Sequence, residues 1–304
     1  MKIKSRHAAP ALVIVVSAML LASSLLMSSV DALNENPYLS FVAIQLAVMA
    51  LPTVFYCRLR HNELDGRMRV RVFGLGHIMI IIFAALLVIS SNALISVTVY
   101  RLFPEAYKAS IEAEANTYMT AGSADYLYSA VAFAIIPAIT EEFLFRSVIA
   151  AEYERMSVPT AVVMSSVMFA MIHFSFVRFP AYFVTGLVLA AVMYAARSVF
   201  ASIAVHIICN LTSLFLDEYL NRIFLGEGMG ITLLHIILTA LTVVFAILFF
   251  GEARSLYKSY AAANVPSEYK AKKHKGVLPR IAEAMLTPTF IILTVFFIIA
   301  ASVR

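Results

Sequence analysis

Three short patterns hold the residues in this chain that could do chemistry. They are E-E-x-x-x-R at Glu141, Glu142 and Arg146, F-x-x-x-H at Phe169 and His173, and H-x-x-x-N at His206 and Asn210. A carboxylate, two imidazoles and a carboxamide, with no suitable Ser or Cys nucleophile beside them, make a hydrolytic set. The carboxylate takes a proton from water, while N–H donors stabilise a developing oxyanion. A glutamate withheld from water is the stronger base, an effect that a nearby Arg146 opposes. The Asn210 amide and the His206 ring are the candidate oxyanion donors. Glu141, His173 and His206 also make a His2Glu set of the kind that holds a catalytic zinc with one open position. No H-E-x-x-H occurs, so the usual zinc-protease signature is missing. Residue types alone leave the cofactor open between none and zinc.

Spacing divides the labour. Glu142 and Arg146 are four apart with the acid first, the favourable order for a helical ion pair. Glu141 stands roughly 100° around the helix from Glu142, so both carboxylates cannot aim at one point unless the helix is distorted. One of the two carboxylates is then expected to be structural and the other reactive. Phe169 shares a helix face with His173, and His206 shares one with Asn210.

The elements that must hold these groups are membrane helices. Of 304 residues, 62% are hydrophobic and 13% charged, against about one-quarter charged in soluble domains. Apolar runs predict an all-α, polytopic transmembrane bundle of 8–9 helices near 8–30, 38–57, 73–99, 126–150, 158–178, 180–196, 199–217, 231–250 and 285–303. Residues 1–304 read as one integral-membrane domain, with residues 126–217 as the catalytic core. Val30-Asp31-Ala32 looks like a cleavage site, but the run before it is long enough to span and an uncleaved first helix is expected. Cys57 and Cys209 offer neither a disulfide framework nor a thiolate site.

Alternating nine spans from a cytosolic N-terminus puts seventeen of the 23 Lys and Arg residues on the inside, as the positive-inside rule requires. The net charge of +5 is then a matter of topology and anionic lipid, including the run Lys270 to Lys275, and no nucleic-acid partner is needed. Counted at 1.5 Å per residue, Glu141 and His206 lie at similar depths, roughly 13 and 11 Å from the inner end, and His173 lies deeper at roughly 22 Å.

Bland readings stand beside the sharp ones. A buried Glu–Arg pair can be purely structural, and a lone membrane histidine is often an interhelical hydrogen-bonder. Met164, Met168 and Met171 read as core fillers. Asn210 opens the sequon Asn-Leu-Thr, but inside a span it is no glycosylation site.

The three motifs together, in order and on separate helices, resemble the CPBP family, the CAAX protease and bacteriocin-processing group that includes the type II CAAX prenyl endopeptidases. The resemblance covers residues 126–217. It implies an intramembrane endopeptidase with its site in an intramembrane cavity, a peptide or protein substrate arriving from the membrane or cytosol, and a multi-pass location in a prokaryotic cell membrane. Under it, Glu141 activates water with help from His173, His206 and Asn210 bind the oxyanion, Glu142 and Arg146 hold the shape, and Phe169 lines the cleft. Three other readings use the same residues: a zinc-dependent form of the protease, a non-catalytic immunity protein or scaffold, and a transporter with a Glu/His proton relay.

Overall fold

The computed structural model describes residues 4–29, 36–119, 126–224, 229–266 and 276–303, and among them every regular element is helical. The Lys270 to Lys275 run and the Val30-Asp31-Ala32 stretch lie outside the described residues. The helices are α1 (Ser5–Ser29), α2 (residues 37–59), α3 (Ile78–Leu102), α4 (Pro104–Met119), α5 (Tyr126–Glu154) and α6 (Val158–Met171). They continue as α7 (Phe179–Ala196), α8 (Val199–Phe224), α9 (Met229–Ala262), α10 (Val277–Met285) and α11 (Pro288–Val303).

Seven of these, α1, α2, α3, α5, α7, α8 and α9, are long and apolar enough to cross a membrane, and α10 with α11, bent by 68°, can make an eighth. The span predicted over 158–178 is instead the 14-residue α6. At 1.5 Å per residue it is about 21 Å long, short of a hydrocarbon core of ~30 Å. It stops because Phe174 takes the left-handed conformation, φ 48°, which reverses the chain toward α7. The ring of Phe174 is buried and faces Phe296 across 6.4 Å, and that packing offsets a backbone state L-residues avoid. Hydropathy could not show the stop, since residues beyond it remain apolar.

Two helices are distorted where proline dictates it. Pro52 and Pro137 each follow a π-helical turn, Leu46–Ala50 in α2 and Ala130–Ile135 in α5. Proline has no N–H to donate and its ring crowds the carbonyl four residues back, so the preceding turn widens. A third π turn, Phe143–Ile149, directly follows Glu142. The site carboxylates thus sit on a seven-residue α segment between two wide turns.

One end of the bundle is tied by ions. Glu152 on α5 takes two bonds from Arg60, at 2.7 and 2.9 Å, and one from Tyr56 at 2.8 Å. Two residues on, Glu154 is paired bidentately with Arg69 at 2.6 and 3.0 Å and accepts from the Tyr194 hydroxyl at 3.1 Å. Arg60 lies outside the spans, and its bond to Glu152 raises the guanidinium above its already high range. Arg69 also stacks over Tyr194, 4.6 Å from the ring centre, and its carbonyl accepts the first N–H of α8 from Val199 at 3.0 Å. Around these lie the pairs Arg6–Glu283 and Arg155–Glu63, and Arg280 donates to the Met156 carbonyl at 2.6 Å. The N-terminus, the loop after α2, the ends of α5 and α7 and the start of α10 therefore share one face. The buried Glu154–Arg69 pair joins the last turn of α5 to the first turn of α8, fixing the two helices that carry most of the site.

Replacing Glu154 with Leu leaves the Arg69 guanidinium, 4% exposed, without its carboxylate. Such a break costs about 3–5 kcal/mol. Urea or thermal unfolding in detergent is expected to show that loss, while Lys258→Ala on an exposed turn of α9 changes stability by less than about 0.5 kcal/mol.

Candidate active site

Glu142 is fully enclosed and both of its oxygens face positive or hydrogen-bearing groups. Arg146, one turn along α5 and equally enclosed, brings its Nε to 3.2 Å from Glu142 Oε2. This is an ion pair rather than an aligned hydrogen bond. The Arg146 Nη2 donates to the Gly186 carbonyl of α7 at 3.3 Å, and the guanidinium lies over the Phe169 ring of α6, 4.5 Å from its centre. Gly186 is required at that crossing. A Cβ there would meet the Cα and Cβ of Ser166 on α6 at 2.9 Å, so α6 and α7 touch backbone to backbone where the arginine reaches across.

His206 of α8 meets the second oxygen, with Nδ1 3.0 Å from Glu142 Oε1. An ionised carboxylate only accepts, so Nδ1 carries the proton and donates. That fixes the tautomer and leaves Nε2 pointing at the other acid, 3.9 Å from Glu141 Oε2. The two carboxylates do not aim at one point. They take opposite nitrogens of a single imidazole, which reconciles their angular separation with a shared partner.

Glu141 differs from its neighbour in what holds it. At 9% it retains a trace of accessible surface where Glu142 has none. Its Oε1 is 3.5 Å from Gln45 Nε2 of α2, and the same nitrogen donates to Thr140 Oγ1 at 3.1 Å. Neither Gln45 nor Thr140 belongs to the sequence motifs. Gln45 did leave a signal, as the one amide in the apolar run FVAIQLAVMA, where a polar group is a functional candidate by default.

His173 lies just past the tip of α6. Its Nδ1 donates to the Phe169 carbonyl at 2.8 Å, and its ring stacks on Tyr182 of α7 with centres 3.7 Å apart. Phe169 stands between the two imidazoles, its ring centre 5.0 Å from that of His173 and 5.7 Å from that of His206. The structure thus brings His173 to the site through Phe169 and gives it no hydrogen bond to Glu141. Asn210, one turn beyond His206, donates one amide hydrogen to the Ala134 carbonyl at 3.3 Å, in the π turn that precedes the glutamates. Met164, Met168 and Met171 are buried in the core around Phe169.

The zinc reading requires Glu141, His173 and His206 to converge as ligands. Among the described residues no three His, Cys, Asp or Glu side chains are grouped to hold a metal ion. With His206 Nδ1 on Glu142 and His173 Nδ1 on a backbone carbonyl, each ring has only Nε2 to offer a metal, and the three side chains are not grouped around one point. The donor set as arranged does not fit the ion.

Residues 123–212 match the family model described as type II CAAX prenyl endopeptidase Rce1-like. No curated protein and no solved structure matches the chain. The matched segment spans α5 to the first half of α8 and contains all three motifs, Gly186 and Tyr182. Gln45 falls outside it.

If Glu142 and Arg146 support each other as a buried pair, Arg146→Leu leaves an uncompensated carboxylate and loses about 3–5 kcal/mol of unfolding free energy. Adding Glu142→Gln to that variant recovers most of the loss, which a double-mutant cycle in detergent measures.

Proposed function

We propose, from a core that matches an intramembrane protease family of the CAAX endopeptidase type, that Glu141 hydrolyses a peptide bond by activating water, with His206 Nε2 as the second group facing that water. The observation that carries this is the unequal use of two adjacent acids. Glu142 is spent on Arg146 and His206, whereas Glu141 keeps an oxygen 3.9 Å from His206 Nε2. That separation exceeds a direct hydrogen bond and suits one water touching both atoms.

The steps follow from the donors and acceptors. Glu141 removes one proton from water as the oxygen attacks the scissile carbonyl carbon. The C=O π pair moves onto oxygen, where N–H donors stabilise it. Asn210 has a second amide hydrogen beyond the one given to Ala134. His206, with its Nδ1 proton held against Glu142, turns Nε2 to the water beside Glu141. Collapse of the tetrahedral species breaks the C–N bond, and Glu141 returns its proton to the leaving amine. With His173 Nδ1 committed to a carbonyl, its Nε2 is the atom left to meet water or substrate.

The ion-tied end is assigned to the cytosol because it carries Arg6, Arg60, Arg69, Arg155 and Arg280, in accord with the positive-inside rule. The substrates this reading favours are membrane-associated peptides of the CAAX type. In liposomes, a fluorogenic C-terminal peptide with a farnesylated cysteine, and its unmodified counterpart, are the probes. Glu141→Gln is expected to lower kcat by about 10²–10⁴-fold, and His206→Ala and His173→Ala to lower it as well, with a chelator leaving the wild type unchanged. No cleavage of either peptide by the wild type, or full activity in Glu141→Gln, overturns the reading. Loss on chelation that zinc reverses transfers the chemistry to a metal.

A further inference from the structure

Outside the matched segment, one buried polar side chain reaches the proposed base. Gln45 is 5% exposed, on a helix whose span is otherwise only 22% buried. A carboxamide turned inward from such a loosely packed apolar helix is costly unless its hydrogen bonds are made. They are made to consecutive residues of α5: Thr140 Oγ1 at 3.1 Å and Glu141 Oε1 at 3.5 Å, both from Nε2.

We propose that Gln45 is a positioning residue that holds the Glu141 carboxylate by its Oε1, so that Oε2 stays turned toward His206. This rests on the reading of Glu141 as the base.

Three features of the geometry support it. The Thr140 hydroxyl lies within hydrogen-bonding distance of the Ile136 and Pro137 carbonyls, at 3.0 and 3.2 Å. With its proton directed there, it meets Gln45 as an acceptor, which selects the amide orientation that presents N–H. The opposite orientation would set the amide oxygen against the Glu141 carboxylate. Next, Glu141 has a different partner for each oxygen, Gln45 on Oε1 and His206 on Oε2; fixing one oxygen sets the direction of the other. Lastly, Gln45 is the residue from which the π turn Leu46–Ala50 starts. The wide turn forced by Pro52 therefore follows directly on the donor, and the two distorted helices α2 and α5 meet at this contact.

The base gains a tether from a helix that packs weakly, so activity depends on where α2 sits. That separates Gln45 from residues that merely fill space. A filler contributes equally whether or not the base is present, while a positioning residue acts only through it.

The experiment compares Gln45→Met, close in size and lacking the donor, in the wild-type and Glu141→Gln backgrounds, with the farnesylated peptide in liposomes. In the wild-type background kcat is expected to fall roughly 10- to 100-fold, the range for losing a hydrogen bond to a charged group. KM should stay within about twofold, as for an interaction that bears on the chemical step rather than on substrate binding. In the Glu141→Gln background the same change is expected to have no further effect. The infrared carboxylate band that Glu141→Gln removes should also shift in Gln45→Met, a readout that needs no turnover. An unshifted band overturns the proposal, as does an equal loss in both backgrounds or a wild-type kcat in Gln45→Met. If Glu141→Gln itself retains full activity, the reading of the base fails, and that outcome is distinct from a failure confined to Gln45.

Discussion

A carboxylate with no water around it must be neutralised by its neighbours, and Glu142 is the point where this chain meets that demand. Its oxygens face Arg146 and His206, and each of those is held in turn by another helix. Arg146 reaches Gly186 on α7 and the ring of Phe169 on α6, while His206 comes from α8. Four helices are brought to one charge. A pair of this kind contributes little net stability once desolvation is counted, but it penalises every arrangement that separates its members. The tautomer of His206, the crossing of α6 over α7 and the direction left to Glu141 all follow from that restriction.

The surroundings show how the backbone was adapted to it. Three π turns occur in α2 and α5, and two of them bracket the glutamates. Wide turns cost hydrogen-bond geometry and are common at functional sites. Here two are explained by Pro52 and Pro137, and the third begins directly after Glu142 and carries Arg146 within it. The ion-tied end does the opposite work. Glu152 and Glu154 pin the last turns of α5 to Arg60 and Arg69, so the helix is rigidly held on one side of its distorted stretch.

How much of this was readable from the residues differs by level. The all-helical membrane bundle followed from composition and apolar run length, because burying a backbone in hydrocarbon leaves few alternatives. The brace formed by Glu142 and Arg146 followed from i, i+4 spacing, since that geometry is local. What depends on tertiary placement was hidden. Gln45 contributes from 96 residues upstream, with no pattern to join it to Glu141. The stop at Phe174 rests on a single backbone angle. Pairings between Glu152 or Glu154 and the arginines after α2 were equally invisible, because the arginines had already been assigned to topology.

Those pairings also change what the surface charge means. Arg6, Arg60, Arg69 and Arg155 each face a glutamate, so four of the positive charges at this end are already neutralised in the folded protein. Two of the four pairs are buried and escape ionic screening, which acts mainly on exposed charges. The field that an anionic leaflet meets at this face is therefore weaker than the formal charge implies. These arginines thus act as internal fasteners of the bundle, and their charge is paired inside the fold before any lipid headgroup meets it.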